Sequence, residues 1–277
     1  MGENKTMNFI KSFNIIANLW KSRDLIRQIT VRDIMARYKG TYLGILWSII
    51  LPLFMLSIYT FVFSVVFKAK WGISVSESRT EFALTMFCGM IPYMLFSECL
   101  NKATSLITSN QNYVKKVVFP LEILPVTVLL SSIIHTLISL AILFIGAFLF
   151  IGTTTWTIIF LPVIFLPLIA MILGFSWFLA SLGVFVRDIG YSVGVITQIL
   201  FFLSPIFYPT SAVPEKFQLL MLFNPLTVII ESLRAVVIWG TMPDWKGILI
   251  VTVFSFFILF TGYFWFIRTK KAFADVI

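Results

Sequence analysis

Residues 109–122 read S-N-Q-N-Y-V-K-K-V-V-F-P-L-E, a short polar and basic island in a very apolar chain. Before it runs an apolar stretch over residues 82–106. After it, residues 123–186 hold no Asp, Glu, Lys or Arg, a run of 64 positions. A polar island between two membrane spans has to sit at a membrane surface. Lys115 and Lys116, with Lys102 upstream, place it on the cytoplasmic side, because cytoplasmic loops are enriched in Lys and Arg. Asn110 is suited to N-cap a short helix. Pro120 fits the first turn of the next one, with Glu122 near its positive dipole end. The reading is a helical finger on the cytoplasmic face, joined stiffly to the span that follows. An ordinary basic loop would carry the same residues.

The composition fixes the class. Of 277 residues, 59% are hydrophobic and only 12% charged, with a mean hydropathy of +0.99, which describes an integral membrane protein. The net charge of +9 gathers at span ends, where orientation and anionic headgroups account for it without nucleic acid. Cys88 and Cys99 lack metal-ligand spacing and read as reduced packing residues. No cleavable signal peptide is evident, since the first long apolar run starts near Leu43.

Outward from the island, the chain divides as follows. Residues 7–21 form an amphipathic pattern, with Phe9, Phe13, Ile16 and Trp20 on one face, and belong in the interface. Residues 22–40 continue as a helical, arginine-rich stretch. Apolar runs at residues 43–67 and 82–106 give the first two spans, with Pro52 and Pro92 inside them. The neutral run is too long for one helix. Gly152 and the three threonines after it divide it into residues 123–151 and 156–186. Arg187-Asp188 is a second cytoplasmic turn, and residues 189–208 are the fifth span. Asn224-Pro225 reads as N-cap and first helical residue, and Gly240 as a stop. Residues 210–240 thus hold two helices too short to cross, a re-entrant hairpin on the outer side. Residues 247–267 are the last span. The fold class is an all-α integral membrane protein of six transmembrane helices with both termini cytoplasmic, forming one domain over residues 1–277. In this arrangement 15 of the 21 Lys and Arg lie inside, as the charge rule asks.

The absences narrow the function. His135 is the only histidine, and no second ligand is spaced to make a zinc site with it. No pair of carboxylates lies at membrane depth, although ion-coupled carriers keep ionisable groups there. Gly is nowhere followed by Lys, so the chain has no phosphate-binding P-loop. If ATP drives this protein, another polypeptide hydrolyses it. The pairs Gly40/Gly44 and Gly190/Gly194 have the spacing of close helix contacts.

Several stretches taken together resemble one family. They are R-Y-K-G-T-Y-L-G-I-L-W-S-I-I-L-P-L from Arg37, N-Y-V-K-K-V-V-F-P-L-E-I-L-P from Asn112, V-R-D-I-G from Val186, S-P-I-F-Y-P from Ser204 and N-P-L-T from Asn224. In this order they resemble the transmembrane subunit of ABC-2 type exporters of O-antigen, capsule and teichoic acid, over nearly the full length. The resemblance implies a bacterial inner-membrane homodimer with two copies of a separate ATP-binding subunit, which carries the ATP and Mg²⁺. This chain would hold no cofactor and no catalytic site. Asn110, Gln111, Asn112, Tyr113, Lys115 and Lys116 would form the coupling helix against the ATPase, and Arg187 and Asp188 a second contact. The hairpin, with Pro225, Glu231 and Arg234, would cap the channel exit.

The substrate implied is a glycan on a lipid phosphate anchor. It needs cations for the phosphate and aromatic faces for sugar rings at the cytoplasmic mouth. Arg37, Tyr38, Lys39, Tyr42 and Trp47 supply both where the first span begins, although an interfacial aromatic belt with snorkelling cations has the same composition. An ion-coupled or ATP-independent flippase for lipid-linked sugars is the alternative. A membrane enzyme acting on lipid-linked sugars would need a cluster of acids or histidines that the sequence lacks.

Overall fold

The computed structural model describes residues 15–67, 71, 78–115, 119–152 and 156–277. Regular structure among them is helical, without a strand. Five helices are long and apolar enough to cross a membrane: Trp47–Val66, Arg79–Ala103, Ile123–Phe150, Trp156–Phe185 and Trp245–Val276. They are termed the first, second, third, fourth and last spans. Their order and limits follow the hydropathy pattern to within a few residues. The last runs on past residue 267 through Lys270 to Val276.

The second span forms the centre. It begins at Ser78, whose hydroxyl accepts from the Glu81 backbone N–H at 3.1 Å, an N-cap that the polar loop of residues 68–81 concealed. Phe82 to Phe96 are almost all buried along it, against the third and fourth spans and the hairpin. The first span differs: only Ser48 is buried along Trp47–Thr60 and none along Phe61–Val66. It lies along one edge of the chain.

The fourth and last spans lie side by side over most of their length. Glycine sets their separation. A Cβ on Gly262 would strike the backbone carbonyl of Gly174, and a Cβ on Gly174 the carbonyl of Ile258. Gly183 presses likewise on the carbonyl of Thr104. The close contacts therefore fall at glycines other than the pairs expected. Gly40 and Gly44 have positive φ, 83° and 53°, with open space around them, and serve the bend before the first span. Gly190 and Gly194 make ordinary contacts with Thr104 and Asn101. Spacing alone marks a small-residue pair; it does not tell which helix face meets a neighbour.

The expected fifth span is shorter than residues 189–208. Its helix, Ile189–Leu203, has 15 residues, which at about 1.5 Å each falls short of a hydrocarbon core of roughly 30 Å. The chain leaves the helix at Ser204, whose φ of −87° and ψ of 148° are extended. Pro205 is the physical reason, because it disfavours helical backbone in the residue before it and has no N–H to donate. Ser204 to Phe207 then turn inward and are buried.

The segment expected as the hairpin follows. Its helices are Glu215–Leu222 and Pro225–Arg234. Asn224 caps the second, its Oδ1 accepting from Leu226 N at 3.1 Å, and its Nδ2 donates to Ser204 Oγ at 2.9 Å. The helix continues as a wider turn, Ala235–Trp239, and stops at Gly240 with φ 64°. The Thr157 hydroxyl at the start of the fourth span donates to the Val236 carbonyl at 2.7 Å. This bond ties the end of the hairpin's second helix to the fourth span.

Candidate functional site

The finger is continuous with the second span. After Ala103 the backbone keeps turning, with Leu106 N bonded to Ala103 O at 3.1 Å and Ser109 N to Ser105 O at 2.8 Å. It then forms the short turns Thr108–Asn110 and Gln111–Val114. Asn110 stands at the N-cap position, but its side chain does not cap. It donates back to the Leu106 carbonyl at 2.8 Å and so ties the finger to its own stem. Gln111, Asn112 and Lys115 are exposed at the tip. Lys116 lies outside the described residues, as do residues 117 and 118.

Tyr113 closes the base. Its ring stacks on Phe119 with centroids 4.2 Å apart and planes within 6°. Arg32 donates to its hydroxyl at 2.5 Å. Arg32 belongs to the helix Arg23–Tyr38, which buries Ile26 and Ile29 against Ile123 at the foot of the third span. The arginine-rich stretch is thus a packed brace as well as a basic surface. Of the interfacial pattern ahead of it, residues 7–14 lie outside the described residues, and Ile15–Lys21 is helical.

Glu122 stands at the N-cap of the third span, at its positive dipole end as expected, whereas Pro120 differs from expectation. The third span starts at Ile123, so Pro120 precedes the helix and does not lie in its first turn. Its carbonyl still accepts from Ile123 N at 3.1 Å, which extends the turn backwards. The Glu122 carboxylate accepts from Lys270 Nζ at 2.6 Å, and its backbone carbonyl from Trp177 Nε1 at 2.9 Å. Three spans thereby meet at one residue beside the finger. Arg187 and Asp188 form an exposed turn close by, since Gly183 and Gly190 on either side of it both face Thr104 at the finger stem.

The second feature is a cavity of about 520 Å³ between the first three spans. Its polar end carries Arg37, Glu98 and His135, and its apolar wall includes Trp47, Met55 and Met94. Arg37 Nη1 lies 2.5 Å from Glu98 Oε1, and Lys102 Nζ 2.7 Å from the same oxygen. One carboxylate facing two cations leaves this end net positive. The structure therefore divides the predicted cluster. Arg37 and Trp47 line the cavity, whereas Lys39 and Tyr42 are exposed away from it. The side chain of Tyr38 is not among the described groups. Glu98, Lys102 and His135 join the site although the motif around Arg37 does not include them. The available signal was Glu98 itself, an acid near a span end with a cation one turn on, which calls for partners.

The third feature is Arg234, which counts among the outer charges in the sequence but is fully buried. Its Nε donates to Thr85 O at 3.0 Å, Nη2 to Ile206 O at 3.0 Å and Nη1 to Glu231 Oε1 at 3.1 Å. The guanidinium also sits 4.1 Å from the Trp71 ring centre. Gly89 makes room for it, since a Cβ there would stand 2.6 Å from Nη2. Arg234 pins the hairpin to the second span and to the bend after the fifth helix. Pro225 starts the hairpin's second helix as expected.

Comparison with known proteins gives the family. The ABC-2 type transporter family model matches residues 24–238. An O-antigen export system permease protein RfbA of Myxococcus xanthus is 25% identical over 265 residues, covering 95% of this chain and 99% of that protein. An RfbA of Klebsiella pneumoniae is 27% identical, covering 94% and 97%. The polysialic acid transport protein KpsM of Escherichia coli is 22% identical, covering 86% and 90%. With the family matched over most of its length and five apolar helices long enough to span a bilayer, the chain is a multi-pass membrane protein belonging to the ABC-2 type transporter family.

Proposed function

We propose that this chain is the membrane-spanning subunit of an ATP-driven exporter that moves a lipid-linked cell-surface polysaccharide, of the O-antigen class, out of the cytoplasm across the inner membrane. The observation that carries the reading is the finger. It is a stiff continuation of the most buried span, fixed at its base by Tyr113, Phe119 and Arg32, with polar residues exposed at its tip. Such a lever suits a force applied by another protein. The ATP and Mg²⁺ belong to that partner, an ABC-type ATPase present in two copies. The finger and the turn at Arg187 and Asp188 form its seat.

The exporter is a homodimer in this reading. A polymer needs a wide conduit, and the first span lies along the chain's edge with almost nothing buried. A second copy placed against that edge and the short fifth helix would enclose one. The cavity at Arg37 receives the anchor phosphate at the cytoplasmic mouth. Phosphate would compete with Glu98 for Arg37 and Lys102, while Trp47 and the methionines accept apolar chain.

Export of the cell's own glycan in a strain carrying or lacking the chain, with and without the ATPase, tests this function. Glycan display should require both. Within that assay Arg37→Ala should reduce export about tenfold, the worth of one lost charged hydrogen bond to the anchor. Lys39→Ala should change it by about twofold or less, because its side chain lies outside the cavity. Both variants should assemble normally. Equal export from Arg37→Ala and the parent would remove the assignment.

A further inference from the structure

The last span's helix ends at Thr269, and the chain goes on through a tighter turn, Lys270–Ala272, into one more helical turn, Phe273–Val276. Phe273 is fully buried, although Lys270, Lys271 and Asp275 flank it in sequence. Its ring lies 5.5 Å from that of Phe266 on the last span and 6.0 Å from that of Phe185 on the fourth. The buried cluster to which it belongs is separate from the main core along the second span. It takes in both roots of the finger, Ile107 where the stem leaves the second span and Leu121 where the chain returns to the third. Trp177 of the fourth span and Tyr263 of the last meet in its middle, edge to face, with ring centres 4.9 Å apart. Polar bonds tie the rim. Lys270 Nζ donates to the Glu122 carboxylate, and the Trp177 indole donates to the Glu122 carbonyl. Asn18, on the helix Ile15–Lys21, donates to the Tyr263 hydroxyl at 3.3 Å. The Lys270 and Glu122 side chains are 29% and 13% exposed, so water and salt screen their bond less than that of a surface pair.

We propose that this C-terminal turn clamps the roots of the finger to the fourth and last spans, with Lys270 and Phe273 as positioning residues for coupling to ATP, a role that rests on the export function proposed above. Close-packed apolar clusters deform little, so a displacement on one side is passed to the other. A finger rooted only in the second and third spans would deliver a push to those two. Rooted in this cluster, it moves the fourth and last spans with them. Those two spans already meet at glycine-to-backbone contact, at Gly174 and Gly262, and can shift as one unit. Lys270 fixes the turn to the finger's return at Glu122, and Phe273 fills the space between the spans, so charge and volume hold the same joint. Phe273 has no exposed surface to offer another protein, so its effect on coupling has to pass through the finger.

The test uses the permease–ATPase complex in cells that display their own glycan, with ATP hydrolysis and the amount of complex measured in inside-out vesicles from the same cells. Lys270→Glu and Glu122→Lys should each lower display about tenfold while hydrolysis and complex stay within about twofold of the parent, since each loses a charged bond and sets like charges face to face. The double exchange restores opposite charges and should bring display back to within about threefold of the parent, the remainder reflecting a lysine at a helix N-cap. Phe273→Ala should lower display about fivefold by opening a cavity, and Phe273→Leu, which fills most of it, should keep most of the parental display. Parental display in both single reversals, no recovery in the double exchange, or loss of complex and hydrolysis in step with display would overturn the clamp. If parental display needs the ATPase while the reversals display normally, the clamp alone fails. If parental display continues without the ATPase, the export function fails and the clamp with it.

Discussion

Replacing Tyr113 by alanine should leave the ATPase running while export falls about tenfold. Tyr113 holds the finger base shut in two ways. Its stack on Phe119 contributes roughly 1 kcal/mol beyond buried area. The bond from Arg32, which is half exposed and also paired with Asp33, adds up to roughly 1 kcal/mol. Together these are large against thermal energy, and without them the tip is no longer held in one position relative to the second and third spans. A push at the tip would then move the finger alone. Tyr113→Phe keeps the stack and loses the Arg32 bond, so it should fall between the two. Paired assays of ATP hydrolysis and glycan display check this. A parallel fall in both activities would mean that Tyr113 serves assembly and not transmission.

Arg234→Leu should have the largest effect on stability. Removing one partner of a buried ion pair costs about 3–5 kcal/mol, since the other is left unpaired. Here Glu231 loses its cation, and the Thr85 and Ile206 carbonyls lose donors. Against a typical margin of about 5–15 kcal/mol this is a large share, so the variant should melt at a clearly lower temperature and accumulate less in the membrane. Arg234→Lys keeps the charge but cannot reach three acceptors at once and should retain an intermediate amount. Membrane levels and thermal unfolding in detergent measure both. Leucine at the parental melting temperature would show that the pin does not hold the hairpin.

Much of this architecture is legible in the residues because the bilayer permits few solutions. Uncharged runs of span length, Asn224-Pro225 and Gly240 each have one physical meaning, and the helices and the hairpin's second helix follow them closely. The finger was visible as a polar island. Its fixings were not, because they join residues far apart in sequence: Arg32 with Tyr113, Glu122 with Lys270. The arginine-rich stretch reads as a charge signal, and only packing shows that Arg32 and Arg37 each have a separate partner. Arg234 misleads for the same reason. A cation in a short outer segment reads as surface, and only the space at Gly89 shows how it can be buried. The short fifth helix shows a limit of hydropathy, which continues smoothly through Ser204 while Pro205 ends the helix.

The finger's role as the lever is most directly tested by a photo-reactive amino acid at Asn112 in the assembled exporter, illuminated in inside-out membrane vesicles with and without ATP. The account predicts a crosslink to the ATPase subunit whose yield changes with nucleotide. A residue 112 that crosslinks only to lipid or to this chain, or that is reached by impermeant reagents from the outer side alone, would contradict it.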